Sequence, residues 1–160
     1  MQHVETIMTT RLLLALAAAL GGGPGLAHGN DLPAPIRARH GEMALMALHL
    51  GTLGGMARGN TGYDPESAAT AAGNLVAIST IDQRFLWPDG TSSDEIGGSK
   101  ALPVIWDNYD DFMEKWTAFG EAATGMEAVA GDGLEALQGA MPALGRSCGG
   151  CHDDYRISDD

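Results

Sequence analysis

The sequence predicts an all-α chain folded as an antiparallel four-helix bundle. Three observations carry that expectation. Apolar residues recur at three- and four-residue steps in four separate segments. Runs of β-branched residues with period-two alternation are missing. Glycine- and proline-containing breaks separate the four segments, as helix connections require.

The first helix is expected over about Pro35 to Ala57. Its stripe is Ile36, Arg39, Met43, Met46, Leu50, Leu53 and Ala57, in alternating three- and four-residue steps. That is the seam of a helix packed nearly parallel to a neighbour. Gly59, Asn60 and Gly62 end it. The second helix begins at Asp64-Pro65-Glu66, which reads as an N-cap, a proline at the first helical position and an acid in the first turn. It carries Ala68, Ala71, Leu75 and Ile78, small enough in part to let a neighbour approach closely.

Residues from about Gln83 to Ala101 read as a long loop, and a loop of that length inside a small domain is functional or packed on itself. The third helix is expected from about Pro103 to Ala123, with the stripe Ile105, Tyr109, Phe112, Trp116, Phe119 and Ala123. Gly131-Asp132-Gly133 marks the next turn. The fourth helix carries Leu134, Leu137, Met141 and Leu144, and the same steps continue to Cys148, Cys151 and Tyr155. If it is continuous, both sulfurs face the core. Pro142 predicts a kink or restart, because proline removes a backbone donor and crowds the preceding turn.

Residues 1–27 read as a secretory signal. Arg11 precedes the apolar run Leu12 to Leu20, followed by a Gly/Pro break and the small-x-small triplet Gly25-Leu26-Ala27. The run falls short of the roughly 20 apolar residues that span a bilayer. The remaining 28–160 then form a single domain outside the cytoplasm. Acidic residues outnumber basic ones by 21 to 9, for a net charge of −12. That balance argues against nucleic acid and against an anionic membrane surface, both of which need a Lys/Arg surplus. It favours a protein partner with a basic docking face.

The residues that carry chemistry are Cys148-Gly149-Gly150-Cys151-His152. C-x-x-C-H is the attachment signature of c-type haem. Two thiols add across the two vinyl groups of one porphyrin edge, and the adjacent histidine brings an imidazole nitrogen to the iron. A thioredoxin-type dithiol would sit near a βαβ pattern, which this chain lacks. A structural zinc site would need two such pairs. A plain disulfide over so short a loop would not explain the histidine. One haem c is therefore expected, covalently bound through Cys148 and Cys151 in the bundle core, with His152 as axial ligand. Arg39 lies on an apolar stripe, where a charge is costly unless paired. A haem propionate suits its forked guanidinium; the alternative is that it snorkels to solvent at the helix end. Met43 lies one turn on; a stripe methionine usually packs in the core, and the alternative here is that it faces the iron opposite His152, as a thioether ligand or a steric plug.

The chain resembles the class II c-type cytochromes, cytochrome c′ and its relative cytochrome c-556, over nearly all of residues 28–160. The landmarks are Arg39-x-x-x-Met43, Gly62-Tyr63-Asp64, the Gly90-Thr91 loop, Pro103-Val104-Ile105-Trp106 and the block from Cys148 to Arg156. The resemblance implies His152 as proximal ligand and Arg39 as the propionate-binding arginine. It places His40 where the family often has a glutamine near the haem, Arg156 near the proximal face, and Met43 at the distal position. It also implies two functions. In cytochromes c′ the distal residue leaves a five-coordinate iron open to nitric oxide or carbon monoxide. In c-556 proteins a methionine closes the sixth position and the protein carries electrons. A homodimer through the first two helices is implied as well.

The expected function is an electron carrier outside the cytoplasm, with gas binding as the alternative and a haem-free dithiol enzyme as a third. Hydrolysis and phosphoryl transfer find no supporting residue set. His3 and His28 lie in or beside the signal, and His49 sits off the first-helix stripe, as a solvated residue would. Trp87, Trp106 and Trp116 read as packing residues.

Overall fold

The computed structural model describes residues 32–158, which form four long helices in a bundle. The expected export signal over residues 1–27, with its cleavage near Ala27 and His3, lies outside the described residues, as does His28. Helix α1 spans Ala34–Ala57 and α2 spans Pro65–Ser79. A single turn, α3, covers Val104–Asp107, followed by α4 over Tyr109–Glu127 and α5 over Leu134–Tyr155. Each long helix packs against two neighbours, in the cyclic order α1, α2, α4, α5.

The stripes read from the sequence are the faces that pack. Ile36, Arg39 and Leu53 of α1 are buried, and Met43, Met46, Leu50 and Ala57 half-buried. On α2, Ala68, Ala71, Leu75 and Ile78 are buried, and the Asp64 carboxylate caps the helix by accepting from Ser67 N–H at 2.7 Å. This bond holds the Asp64 carboxyl below its ordinary pKa. From α4 and α5, Trp116, Phe119, Ala123, Met126, Leu137 and Leu144 complete the same core.

Two expectations change. The third helix is not continuous from Pro103 to Ala123. It breaks at Asn108, whose φ of −127° and ψ of 45° are non-helical, and α4 then runs on to Glu127. Asparagine is a weak helix former, and the break lets Ile105 turn into a small second core with Phe112 and Tyr155. Of the kink or restart expected at Pro142, the restart does not occur, because α5 is helical through it. Pro142 is exposed, and so is Gln138, whose carbonyl loses its donor to the proline. An exposed face is where a proline costs a helix least, since solvent can reach the orphaned carbonyl.

The two ends of the bundle differ. At one end, Tyr63 ties the α1–α2 connection to the α4–α5 turn: its hydroxyl donates to Ala130 O at 2.8 Å and accepts from Gly133 N–H at 2.9 Å. At the other end lie the start of α1, the end of α5 and the loop between α2 and α3. That loop is packed on itself and on α5. Ser99 Oγ donates to Thr91 O, Ser93 N–H to Ala101 O, and Leu102 N–H to Tyr155 O. Gly90 and Gly98 make its sharp turns with φ of 78° and 93°, values that side chains with a Cβ rarely adopt.

Tyr63→Phe deletes both bonds at the closed end while preserving the ring. Its unfolding free energy by urea titration falls by about 1–2 kcal/mol, with the site at the open end unaffected.

Candidate haem site

The open end holds a cavity of about 340 Å³. All seven residues singled out from the sequence line it: Arg39, His40 and Met43 from α1, and Cys148, Cys151, His152 and Arg156 from α5 and its end. Trp87 from the loop, Lys115 from α4 and Tyr155 from α5 also contribute to the wall. The helix periodicity explains the convergence. Arg39 and Met43 are one turn apart on α1, and Cys148, Cys151 and Tyr155 follow one face of α5, which packs beside α1.

Arg39 is only 4% exposed, which rules out the snorkelling alternative. Its Nη1 donates to Thr91 Oγ1 at 3.2 Å and its Nη2 to Thr91 O at 2.9 Å. The guanidinium lies over the Trp87 ring, 4.4 Å from its centroid, in cation–π geometry. All of these partners are neutral. Burial lowers the guanidinium pKa, although it stays charged. A buried cation held by neutral groups at a cavity wall suits an anionic group bound in that cavity.

Cys148 and Cys151 are half-buried and unpaired by any disulfide. Burial pushes the Cys148 thiol up and the Cys151 thiol to about 11. A dithiol oxidoreductase needs the opposite shift, a thiolate at neutral pH. The thiols are thus neutral and face a largely apolar cavity, which suits thioether formation with a porphyrin edge. His152 and His40 line the cavity while remaining exposed, Arg156 and Met43 are half-buried there, and Trp116 is buried. The donor set fits a haem: two thiols, an imidazole beside them, a thioether across the cavity and a buried guanidinium. His49 is half-buried rather than solvated, and lies in a separate polar groove with Thr52 and Asp64.

Sequence reading missed a second layer. Glu42 is 6% exposed and Gln83 2%. Gln83 Nε2 donates to Glu42 Oε1 at 2.9 Å, and Gln83 Oε1 accepts from the Trp87 indole at 3.0 Å. Glu42 Oε2 is buried without a hydrogen bond. The pair fixes Trp87 in place beneath Arg39. The only available signal was an acid flanking the apolar stripe of α1.

Burial raises the Glu42 carboxyl pKa above its ordinary 4.5, with the Gln83 bond opposing. The folded protein therefore holds this proton more tightly than the unfolded chain. Stability from this group is full below pH 4.5 and is lost as pH rises through the folded pKa. Relative to Glu42→Gln, the wild type loses ground as pH rises above 4.5, measured by urea titration at a series of pH values.

The family model described as Cytochrome C′ matches residues 34–156. Cytochrome c-554 of Cereibacter sphaeroides is 46% identical over 147 residues, covering 91% of this chain and 96% of that protein. The solved structure of cytochrome c′ from Rhodobacter spheriodes matches with a TM-score of 0.76 and 36% identity, covering 83% of this chain and all of that one. A nitric oxide complex of a cytochrome c prime mutant from Alcaligenes xylosoxidans matches with a TM-score of 0.67 and 28% identity, covering 82% of this chain and 98% of that one. With the motif, the cavity and these likenesses all on the same residues, the chain belongs to the cytochrome c′ family.

Proposed function

We propose that this haem protein carries single electrons outside the cytoplasm, with His152 as axial ligand and Arg39 as the anchor of a haem propionate. The family membership gives the cofactor: haem c, held through Cys148 and Cys151. When bound, the haem supplies a ferric–ferrous couple. The observation that carries the site assignment is Arg39, a buried cation with neutral partners on the same cavity wall as the C-x-x-C-H residues.

The Cys148 and Cys151 sulfurs would hold the haem to α5. His152 would ligate its iron, with Arg156 one turn on. Met43, on the cavity wall from α1, would ligate the iron or block access to it, and His40 would stand near a propionate. The apolar lining excludes water and so strengthens every charge interaction inside. Among the described residues no helix is long and apolar enough to cross a membrane. The acidic surface suits a redox partner with a basic face. Leu45 and Leu48, 50% and 62% exposed on α1, offer an apolar surface for the homodimer through α1 and α2.

A second reading is binding of nitric oxide or carbon monoxide at an open sixth position. It is favoured by the nitric oxide complex of a structural relative and by the methionine at a cavity wall, a residue able either to ligate or merely to block. Spectra of the ferric and ferrous protein separate the two. A low-spin spectrum with the far-red methionine–iron band supports the closed carrier, and a high-spin spectrum that changes on adding either gas supports the open form. Protein matured with the haem-attachment machinery yet lacking haem absorption contradicts both.

Met43→Ala converts a low-spin spectrum to high spin if the thioether ligates, or raises gas affinity if it blocks. An unchanged spectrum and affinity places Met43 off the distal face. Arg39→Leu removes a positive charge beside the iron and so favours the ferric form. Its reduction potential falls, by an amount on the order of 1 kcal/mol, as read by potentiometric titration.

A further inference from the structure

We infer that Tyr155 is a second one-electron redox site, with Asp111 as acceptor of its phenolic proton, brought into use when a hydroperoxide meets the ferrous haem protein. The inference rests on the haem reading above and concerns residues which that reading leaves unused.

Tyr155 is 5% exposed and lines the same cavity as His152 and Cys151. Its hydroxyl donates to Asp111 Oδ2 at 2.5 Å, within the range of a hydroxyl bonded to a carboxylate. Asp111 itself is exposed, so a proton received there passes on to water. The bond to Asp111, reinforced by burial, holds the phenol proton to about pH 12. Tyr155 is therefore a neutral phenol at any physiological pH, with a base already in contact.

That contact decides where an electron is lost. A phenol that gives up an electron becomes strongly acidic, so its oxidation is easier when a base stands ready to take the proton in the same step. The three tryptophans and Tyr63 lack such a base. Trp87 donates its N–H to Gln83 Oε1, Trp106 to Trp87 O and Trp116 to Ser79 O. Tyr63, at the far end of the bundle, donates to Ala130 O. Amide and carbonyl oxygens are too weakly basic to keep the proton. An electronic route between the candidates exists, because Phe112 stands edge-on to Tyr155 at 5.4 Å and to Trp87 at 4.6 Å between centroids. Phe112 bridges electron tunnelling between the two rings, and the hole settles where its proton has a home.

The hydroperoxide takes up two electrons and two protons, and its O–O bond breaks to give two hydroxyl products, which for hydrogen peroxide are two waters. One electron comes from ferrous iron, which becomes ferric. The other comes from Tyr155, which becomes a neutral tyrosyl radical as its proton moves to Asp111. The protons for the peroxide come from solvent, and Asp111 returns its own to solvent afterwards.

The test is freeze-quench electron paramagnetic resonance of the anaerobic ferrous holoprotein mixed with one equivalent of hydrogen peroxide. Wild type is expected to give a tyrosyl signal that narrows when the protein is made with ring-deuterated tyrosine. Tyr155→Phe, which keeps the packed ring, should lower that signal at least tenfold. Asp111→Asn should lower it several-fold, and Asp111→Glu should restore it, which a purely structural role for Asp111 does not predict. A signal unchanged in Tyr155→Phe, a radical that responds to deuterated tryptophan instead, an undiminished yield in Asp111→Asn, or no radical at all overturns the inference. Lack of covalent haem absorption before peroxide is added overturns the haem reading and this one together. A haem-loaded protein that gives no tyrosyl signal overturns this one alone.

Discussion

A single buried charge organises the functional end of this bundle. Arg39 sits on the packed stripe of α1, where an unpartnered guanidinium would be costly. Among the described residues its partners are neutral: two bonds to Thr91 and the face of Trp87. Those partners come from one loop, so the loop must be held. Gln83 holds it from below by bridging Glu42 and the Trp87 indole, and Ser99 holds Thr91 from the side. Glu42 is three residues from Arg39 on the same helix, yet it is engaged with Gln83 instead. The guanidinium charge is therefore left for an anion in the cavity, and a haem propionate matches it in charge and in planar geometry.

The remainder of the bundle supports that arrangement. Tyr63 locks the closed end, and the cavity lies at the other end. The break at Asn108 turns Ile105, Phe112 and Tyr155 into a second small core directly beside the last turn of α5. Lys115 on α4 pairs with Asp154 at 2.8 Å, and Tyr155 bonds to Asp111 on the same helix. The segment carrying Cys148, Cys151 and His152 is thereby pinned to α4 on two sides.

The legible part of the fold was the part written in periodicity. Alternating three- and four-residue steps place residues on one face whatever their chemistry, so Arg39 and Cys151 could be put on the same interior as Leu53 and Leu144. The break at Asn108 was invisible for the same reason. Ile105 and Tyr109 are four apart, and a kink between them leaves the pattern intact. Pro142 does not restart the helix, because its helix-breaking effect depends on which face it occupies, and it is exposed. Glu42 and Gln83 escaped notice because one flanks the stripe and the other belongs to a loop without period. Only tertiary contact gives either residue a meaning. The roles of His40 and Arg156 came from resemblance; the structure adds that both line the cavity.

The central claim is that the uncompensated charge of Arg39 receives a haem propionate. A crystal structure of the haem-loaded protein tests it most directly. The account predicts a propionate oxygen at hydrogen-bond distance from an Arg39 nitrogen, about 2.7–3.2 Å, with the guanidinium still lying over Trp87. Both propionates turned to solvent, with Arg39 bonded only to Thr91, would contradict it.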